Sequence, residues 1–125
     1  MGNGGHITME LNEFIDKLLK IKEEVDRINT EEEHNSITDI LYINRLQLLY
    51  TIEEYIWEYV EDMPRAEMLL IPYNIRTSLS NIIYNTSTIQ IDTNNIYKTK
   101  AINYFYYNTI YNELSSILNH YIHNT

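Results

Sequence analysis

Three glutamates, Glu54, Glu58 and Glu61, stand at spacings of four and three. On a helix rising ~1.5 Å per residue, that spacing lines the carboxylates along one strip about 10 Å long. Carboxylates in a row imitate the phosphates of a nucleic-acid strand, so a basic groove would accept them in place of its ligand. Glu53 and Asp62 lie beside the strip, and Glu31, Glu32 and Glu33 stand at its approach. The same residues equally suit a solvated face that keeps a protein in solution. Tyr97, Tyr104 and Tyr111 form a second series, each seven residues from the next, with Phe105 and Tyr107 close by. Tyrosine gives a large amphipathic contact and is enriched at interfaces. The series is therefore a candidate interface, including one between copies of the chain, or else a half-buried core rim. Arg45 projects between Leu41, Leu48, Leu49 and Ile52, inside an apolar stripe. A buried guanidinium needs a partner: either Arg45 snorkels out near a helix end, or it forms a buried ion pair with a carboxylate of another helix, for which the first helix offers candidates, or it meets a carboxylate of a binding partner.

Metal and catalytic patterns are sparse. Glu31-x-x-His34 is half of a di-iron pattern; such bundles need two Glu-x-x-His pairs and two further inward glutamates. The sequence has no second pair, and His120-x-x-His123 lies near the chain end without a third ligand nearby. There is no cysteine, which excludes disulfides, thiolate sites and a cysteine nucleophile. All three glycines fall within the first five residues, so neither a phosphate-cradling loop nor a nucleophile elbow is present. No catalytic residue, metal or cofactor is expected. Arg27 and His34, separated by six residues, resemble the Arg-x4–6-His motif of the HEPN ribonuclease superfamily, which is also all-α. The resemblance covers two residues. In that family a polar residue usually follows the arginine and the motif sits late in the bundle. Here Ile28 follows Arg27, the motif follows the first helix, and the surrounding acids would repel RNA. What the resemblance implies, a ribonuclease, ranks behind the readings below.

The net charge is −9. It disfavours direct binding of nucleic acid, which needs clustered Lys and Arg, and of anionic membranes. It suits a protein partner with a basic surface. The charge is uneven: residues 1–67 hold 16 acids and 6 bases, whereas residues 68–125 hold 2 acids and 3 bases. No apolar run approaches the ~20 residues of a membrane span, and the N-terminus lacks a secretory pattern. A cytoplasmic location follows as the expectation, that of the host if the source is viral. Ile (20), Asn (15) and Tyr (12) are abundant, as AT-rich codons favour, so a virus, phage or low-GC bacterium is a candidate source.

The elements that must position these residues are helices. From Thr8 to about Asn29, Leu11, Phe14, Leu18, Ile21, Val25 and Ile28 recur at spacings of three and four. Glu13–Lys17, Asp16–Lys20 and Glu23–Arg27 support the opposite face by about 0.2–0.5 kcal/mol each. Residues 31–35 break the apolar pattern and read as a connection. A second helix is expected from Ile37 to about Met63, stopped by Pro64. It has a wide stripe through Leu41, Leu49, Ile52, Ile56 and Tyr59, and a second strip through Ile43, Leu46, Tyr50 and Trp57. A helix apolar on two sides is central. A short helical turn should follow Pro64, and Pro72 should open a third helix ending near Tyr84 or Asn85. Thr86 to Asn94 reads as a polar loop. The last helix should run from about Asn95 to about Ile122.

The expected fold is an all-α, single-domain bundle of about four mostly antiparallel helices over residues 8–125, with 1–7 a flexible lead-in or an expression remnant. The leading functional reading is a non-enzymatic, acidic protein–protein interaction module. In its sharpest form it is a small viral or phage-type inhibitor occupying a basic surface of a nucleic-acid-processing or defence protein. The alternative is a self-assembling structural subunit joined through the tyrosine-rich helix.

Overall fold

The computed structural model describes residues 9–34, 39–89 and 94–123. Those residues fold as an all-α bundle: α1 (Leu11–His34), α2 (Asp39–Val60), α3 (Arg65–Met68), α4 (Tyr73–Thr88) and α5 (Ile96–His123). Among the described residues no helix is long and apolar enough to cross a membrane.

The seam of α1 is buried where the three-and-four spacing places it, at Phe14, Leu18, Ile21, Val25 and Ile28, while Leu11 at its start is left exposed. The helix does not stop at Asn29 but continues through the acidic residues to His34. Loss of apolar residues marks where burial stops, not where a helix stops. Glutamate is a good helix former, and Arg27 pairs with both Glu24 and Glu31 across the last turns. Glu13 pairs with Lys17 at 3.5 Å as the spacing implies.

Tyr42, Leu46, Leu49, Ile52, Ile56 and Tyr59 are the buried face of α2. The helix ends at Val60, ahead of Pro64, and the Met63 amide closes the turn on the Val60 carbonyl at 3.1 Å. Pro64 and Pro72 take the capping positions of α3 and α4 with extended backbone. α3 buries none of its residues and is a surface turn.

α4 runs to Thr88, beyond the expected end near Tyr84 or Asn85. Its polar last turns are helical because each side chain donates back to its own helix: Asn85 Nδ2 to Asn81 O, Thr86 Oγ1 to Ile82 O, Ser87 Oγ to Tyr84 O and Thr88 Oγ1 to Asn85 O, all between 2.6 and 2.7 Å. Satisfied in this way, Thr86 and Asn85 can be buried. Ile89 leaves the helix in extended conformation, and its carbonyl accepts the Tyr50 hydroxyl at 3.0 Å. The rest of the expected loop, 90–93, lies outside the described residues.

Contacts join α1 to α2 and α5, and α4 to α2 and α5, with α2 and α5 touching across the middle. Phe14 stacks on Tyr59 near the start of α1 and the end of α2, and Asn29 meets Arg45 at the other end, so α1 and α2 are antiparallel. Asp26 meets Tyr111 and Asn29 meets Tyr107, which sets α1 against α5 in the same sense. One buried cluster runs through α1, α2, α4 and α5.

Candidate functional site

The outer face of α2 carries Glu54 and Glu58, and Glu61 follows just past the helix end, its amide bonded to the Trp57 carbonyl at 2.8 Å; all three are exposed. The core residues 49, 52, 56 and 59 point the opposite way, so the helix has no alternative orientation for them. Glu58 lies 3.8 Å from Lys17 of α1, and Lys17 also sits 4.8 Å over the Tyr55 ring. The α1 side of the strip is thus partly neutralised.

On its α4 side stands Trp57, three residues after Glu54 and four before Glu61. The only tryptophan of the chain, it is 49% exposed. The second apolar strip read in the sequence therefore splits: Leu46 is buried in the core and Trp57 is not. Beside Trp57, a cavity of about 360 Å³ opens between α2, α3 and α4, with Trp57 and Val60 on one bank and Ser80 and Ile83 on the other. Arg76 also lines it, held by a 3.1 Å hydrogen bond from Nε to the Ile71 carbonyl. Sequence reasoning missed Trp57 as a site residue. The available signal was its position between the acids, but only the packing of α4 decides whether a tryptophan there is covered.

The tyrosine series also divides. Tyr97 and Tyr104 are 87% and 72% exposed, and Phe105 beside them is 66% exposed. Tyr111 instead packs on α1, where its hydroxyl donates to Asp26 Oδ1 at 2.5 Å. Lys22 donates to the other oxygen of Asp26 at 2.9 Å and lies 5.4 Å over the Tyr111 ring. Burial pushes the Asp26 carboxyl up, but the hydrogen bonds from Tyr111 and Lys22 outweigh it and leave it below its ordinary value. The Asp26 hydrogen bond, then burial, raises Tyr111.

Arg45 is half-buried. It donates from Nη1 to Asn29 Oδ1 at 3.0 Å, and the Tyr107 hydroxyl donates to the same oxygen at 3.0 Å. The guanidinium lies 4.2 Å from the Tyr107 ring and 5.3 Å from the Tyr42 ring. Among these contacts, the one to α1 is the Asn29 amide oxygen; Asp26, one turn earlier, is engaged by Lys22 and Tyr111. The cluster pins α1, α2 and α5 together.

Of the remaining candidates, Arg27 is exposed and engaged by Glu24 and Glu31, and the side chain of His34 lies outside those described. His120 packs edge-on against Tyr121, and His123 is exposed. Among the described residues, no three His, Cys, Asp or Glu side chains stand close enough to hold a metal ion. No protein-family model matches the chain, and no curated protein and no solved structure matches it.

Proposed function

We propose that the chain is a non-enzymatic protein–protein interaction module that docks a basic partner surface on the outer face of α2. Glu54, Glu58 and Glu61 meet the partner's cations, and Trp57 supplies the apolar anchor. In its sharpest form the module is a small inhibitor of viral or phage type that occupies the nucleic-acid groove of a processing or defence protein in the cytoplasm. The observation that carries the reading is Trp57, half exposed in the middle of three exposed carboxylates and beside an open cavity. Tryptophan anchors ringed by polar residues dominate binding energy at interfaces. A face serving only solubility gains nothing from an exposed indole.

As the only tryptophan, Trp57 also reports on the site. A helical peptide with lysines along one face and leucines on the other should change its fluorescence saturably, whereas the same peptide with glutamates should not. Replacing Glu54, Glu58 and Glu61 by glutamine should abolish most of the affinity, and Trp57→Ala should cost about 2 kcal/mol of binding, read by calorimetry. Affinity that survives neutralisation of all three acids sinks the reading.

A second reading, self-assembly, is favoured by the exposure of Tyr97, Tyr104 and Phe105 on one stretch of α5. Its test is sedimentation of the wild type against Tyr104→Ser with Phe105→Ser. A mass that is monomeric in both removes it.

A further inference from the structure

The cavity beside Trp57 holds a charge that docking through the acidic strip does not use. At about 360 Å³ it falls within the ~300–1,000 Å³ of small-molecule sites. Six apolar side chains, Ile56, Trp57, Val60, Met68, Leu79 and Ile83, make up most of its wall. Its polar members are Arg76 and Ser80, one turn apart on α4, and none of its lining residues is acidic. A wall of this kind takes an apolar body and holds it by one polar end. Arg76 is the unusual member. It is half-buried. Two other half-buried cations, Lys17 and Lys22 of α1, pair with Glu13 and Glu58 and with Asp26. Arg76 pairs with no described carboxylate, although acids outnumber bases 18 to 9 along the chain. Its Nε donates to the Ile71 carbonyl at 3.1 Å, and the guanidinium lies 5.7 Å from the Tyr73 ring. The side chain is thus held at the cavity, while Nη1 and Nη2 donate to no described residue. The first turn of α4, to which Arg76 belongs, contains no acid, so the partial positive charge of the helix start adds to that of the guanidinium.

We propose that this cavity binds a small aliphatic monocarboxylate, with the carboxylate on Arg76 and the chain against Trp57, Met68 and Ile83. The proposal goes beyond the docking role of the acidic strip and does not rest on it. A guanidinium edge matches a carboxylate with two parallel hydrogen bonds, and the Ser80 hydroxyl is one more donor. The surroundings select a single charge: Glu54, Glu58 and Glu61 lie across Trp57 from the cavity and repel a dianion, such as a phosphate ester, more strongly than a monoanion. They also select a free molecule over a peptide terminus, because peptide amides would enter a wall with no polar partner beyond Arg76 and Ser80.

The test is titration of the isotope-labelled full chain with octanoate, 1-octanol, octylammonium and acetyl-leucyl-leucine. Binding is read by the fluorescence of Trp57, the only tryptophan, and by NMR at the amides of Ser80 and Ile83. Octanoate should bind saturably, and roughly tenfold more tightly than octanol or octylammonium. Arg76→Gln should weaken octanoate roughly tenfold and leave octanol unchanged, and Arg76→Lys, which keeps the charge, should recover part of the loss. Ser80 is exposed, so Ser80→Phe should fold and, by filling the cavity mouth, exclude every probe. Octanol or octylammonium bound as tightly as octanoate, or octanoate affinity undiminished in Arg76→Gln or in Ser80→Phe, overturns the proposal. Acetyl-leucyl-leucine bound through Arg76 more tightly than octanoate moves the source to a peptide C-terminus and overturns that part. The cavity and the strip fail separately. Replacing Glu54, Glu58 and Glu61 by glutamine should lose the basic peptide and keep octanoate, whereas Arg76→Gln should lose octanoate and keep the peptide. If octanoate binds through Arg76 and the peptide ignores the strip, the cavity stands without the strip. If the peptide responds to the strip and octanoate does not bind, the strip stands without the cavity.

Discussion

Tyr111 and Tyr104 are one heptad apart and have different roles. Seven residues at 100° each fall ~20° short of two full turns, so the series Tyr97, Tyr104, Tyr111 drifts around α5 by about 40°. Tyr111 ends against α1 and the other two end in solvent. The spacing was legible in the sequence; the drift and the neighbour that makes it matter were not. Tyr111→Phe should cost about 0.5 kcal/mol at pH 7, toward the low end of a hydrogen bond's net worth because the Asp26 side chain is 42% exposed. The sign with pH follows from Asp26. Its carboxyl is held below its ordinary value near 3.8, so the stability it contributes is fully present above that value and lost as the pH falls through the depressed one. The gap between wild type and Tyr111→Phe should therefore narrow below about pH 4. Urea unfolding at pH 7 and pH 3 checks this, and an equal gap at both would show that the hydroxyl is not coupled to Asp26. Arg45 carries the same lesson: its place in an apolar stripe announced a buried cation needing a partner, but not that an amide oxygen and two rings would be among the groups around it.

At the scale of elements, the helices were legible because their apolar spacing is regular, and their ends were not. The acidic end of α1 and the polar end of α4 both look like loops. In α1 the helix continues on the propensity of glutamate and on Arg27's two pairs. In α4 it continues because Asn85, Thr86, Ser87 and Thr88 satisfy themselves on the preceding turn. Polarity along a sequence does not distinguish a residue bonded to water from one bonded to its own helix. Thr86 gives the test, since it is fully buried and its hydroxyl bonds the Ile82 carbonyl at 2.7 Å. Thr86→Val keeps the shape and removes both the hydroxyl and its desolvation, so the change in stability should be within about 1 kcal/mol. Thr86→Asp would bury an unpaired charge and should cost about 3 kcal/mol or more. Thermal unfolding of the two variants decides. A loop at this position would tolerate both. Trp57 belongs to the same scale. Its helical register was readable, but whether α4 would cover it depended on how the prolines at 64 and 72 turn the chain, and the α2–α4 contact leaves a cavity beside the indole.

At the scale of the whole molecule, the order of packing converts a difference along the chain into a difference in space. Because α1 packs on α2 and α4 packs on α5, the acid-rich half of the sequence becomes one side of the bundle and the nearly uncharged half becomes the other. The sequence announced two unlike halves; only the cyclic order of contacts makes them two unlike sides. A one-sided field of this kind acts on encounter more than on the lifetime of a complex. The Debye length shrinks from ~10 Å at 0.1 M salt to ~3 Å at 1 M, below the ~10 Å length of the Glu54–Glu61 strip. Association with a basic peptide should therefore slow by about tenfold or more across that range, while dissociation, governed by contacts such as those of Trp57, should change much less. Stopped-flow fluorescence of Trp57 measures both rates. The tyrosine side predicts the reverse: contacts through Tyr97, Tyr104 and Phe105 carry little charge to screen, so any association through them should persist at 1 M salt. If salt slows encounter and leaves the chain's own sedimentation unchanged, the acidic side is the one that meets a partner. If encounter with the basic peptide is indifferent to salt, the charge asymmetry serves solution behaviour alone and the docking face must be sought on α5.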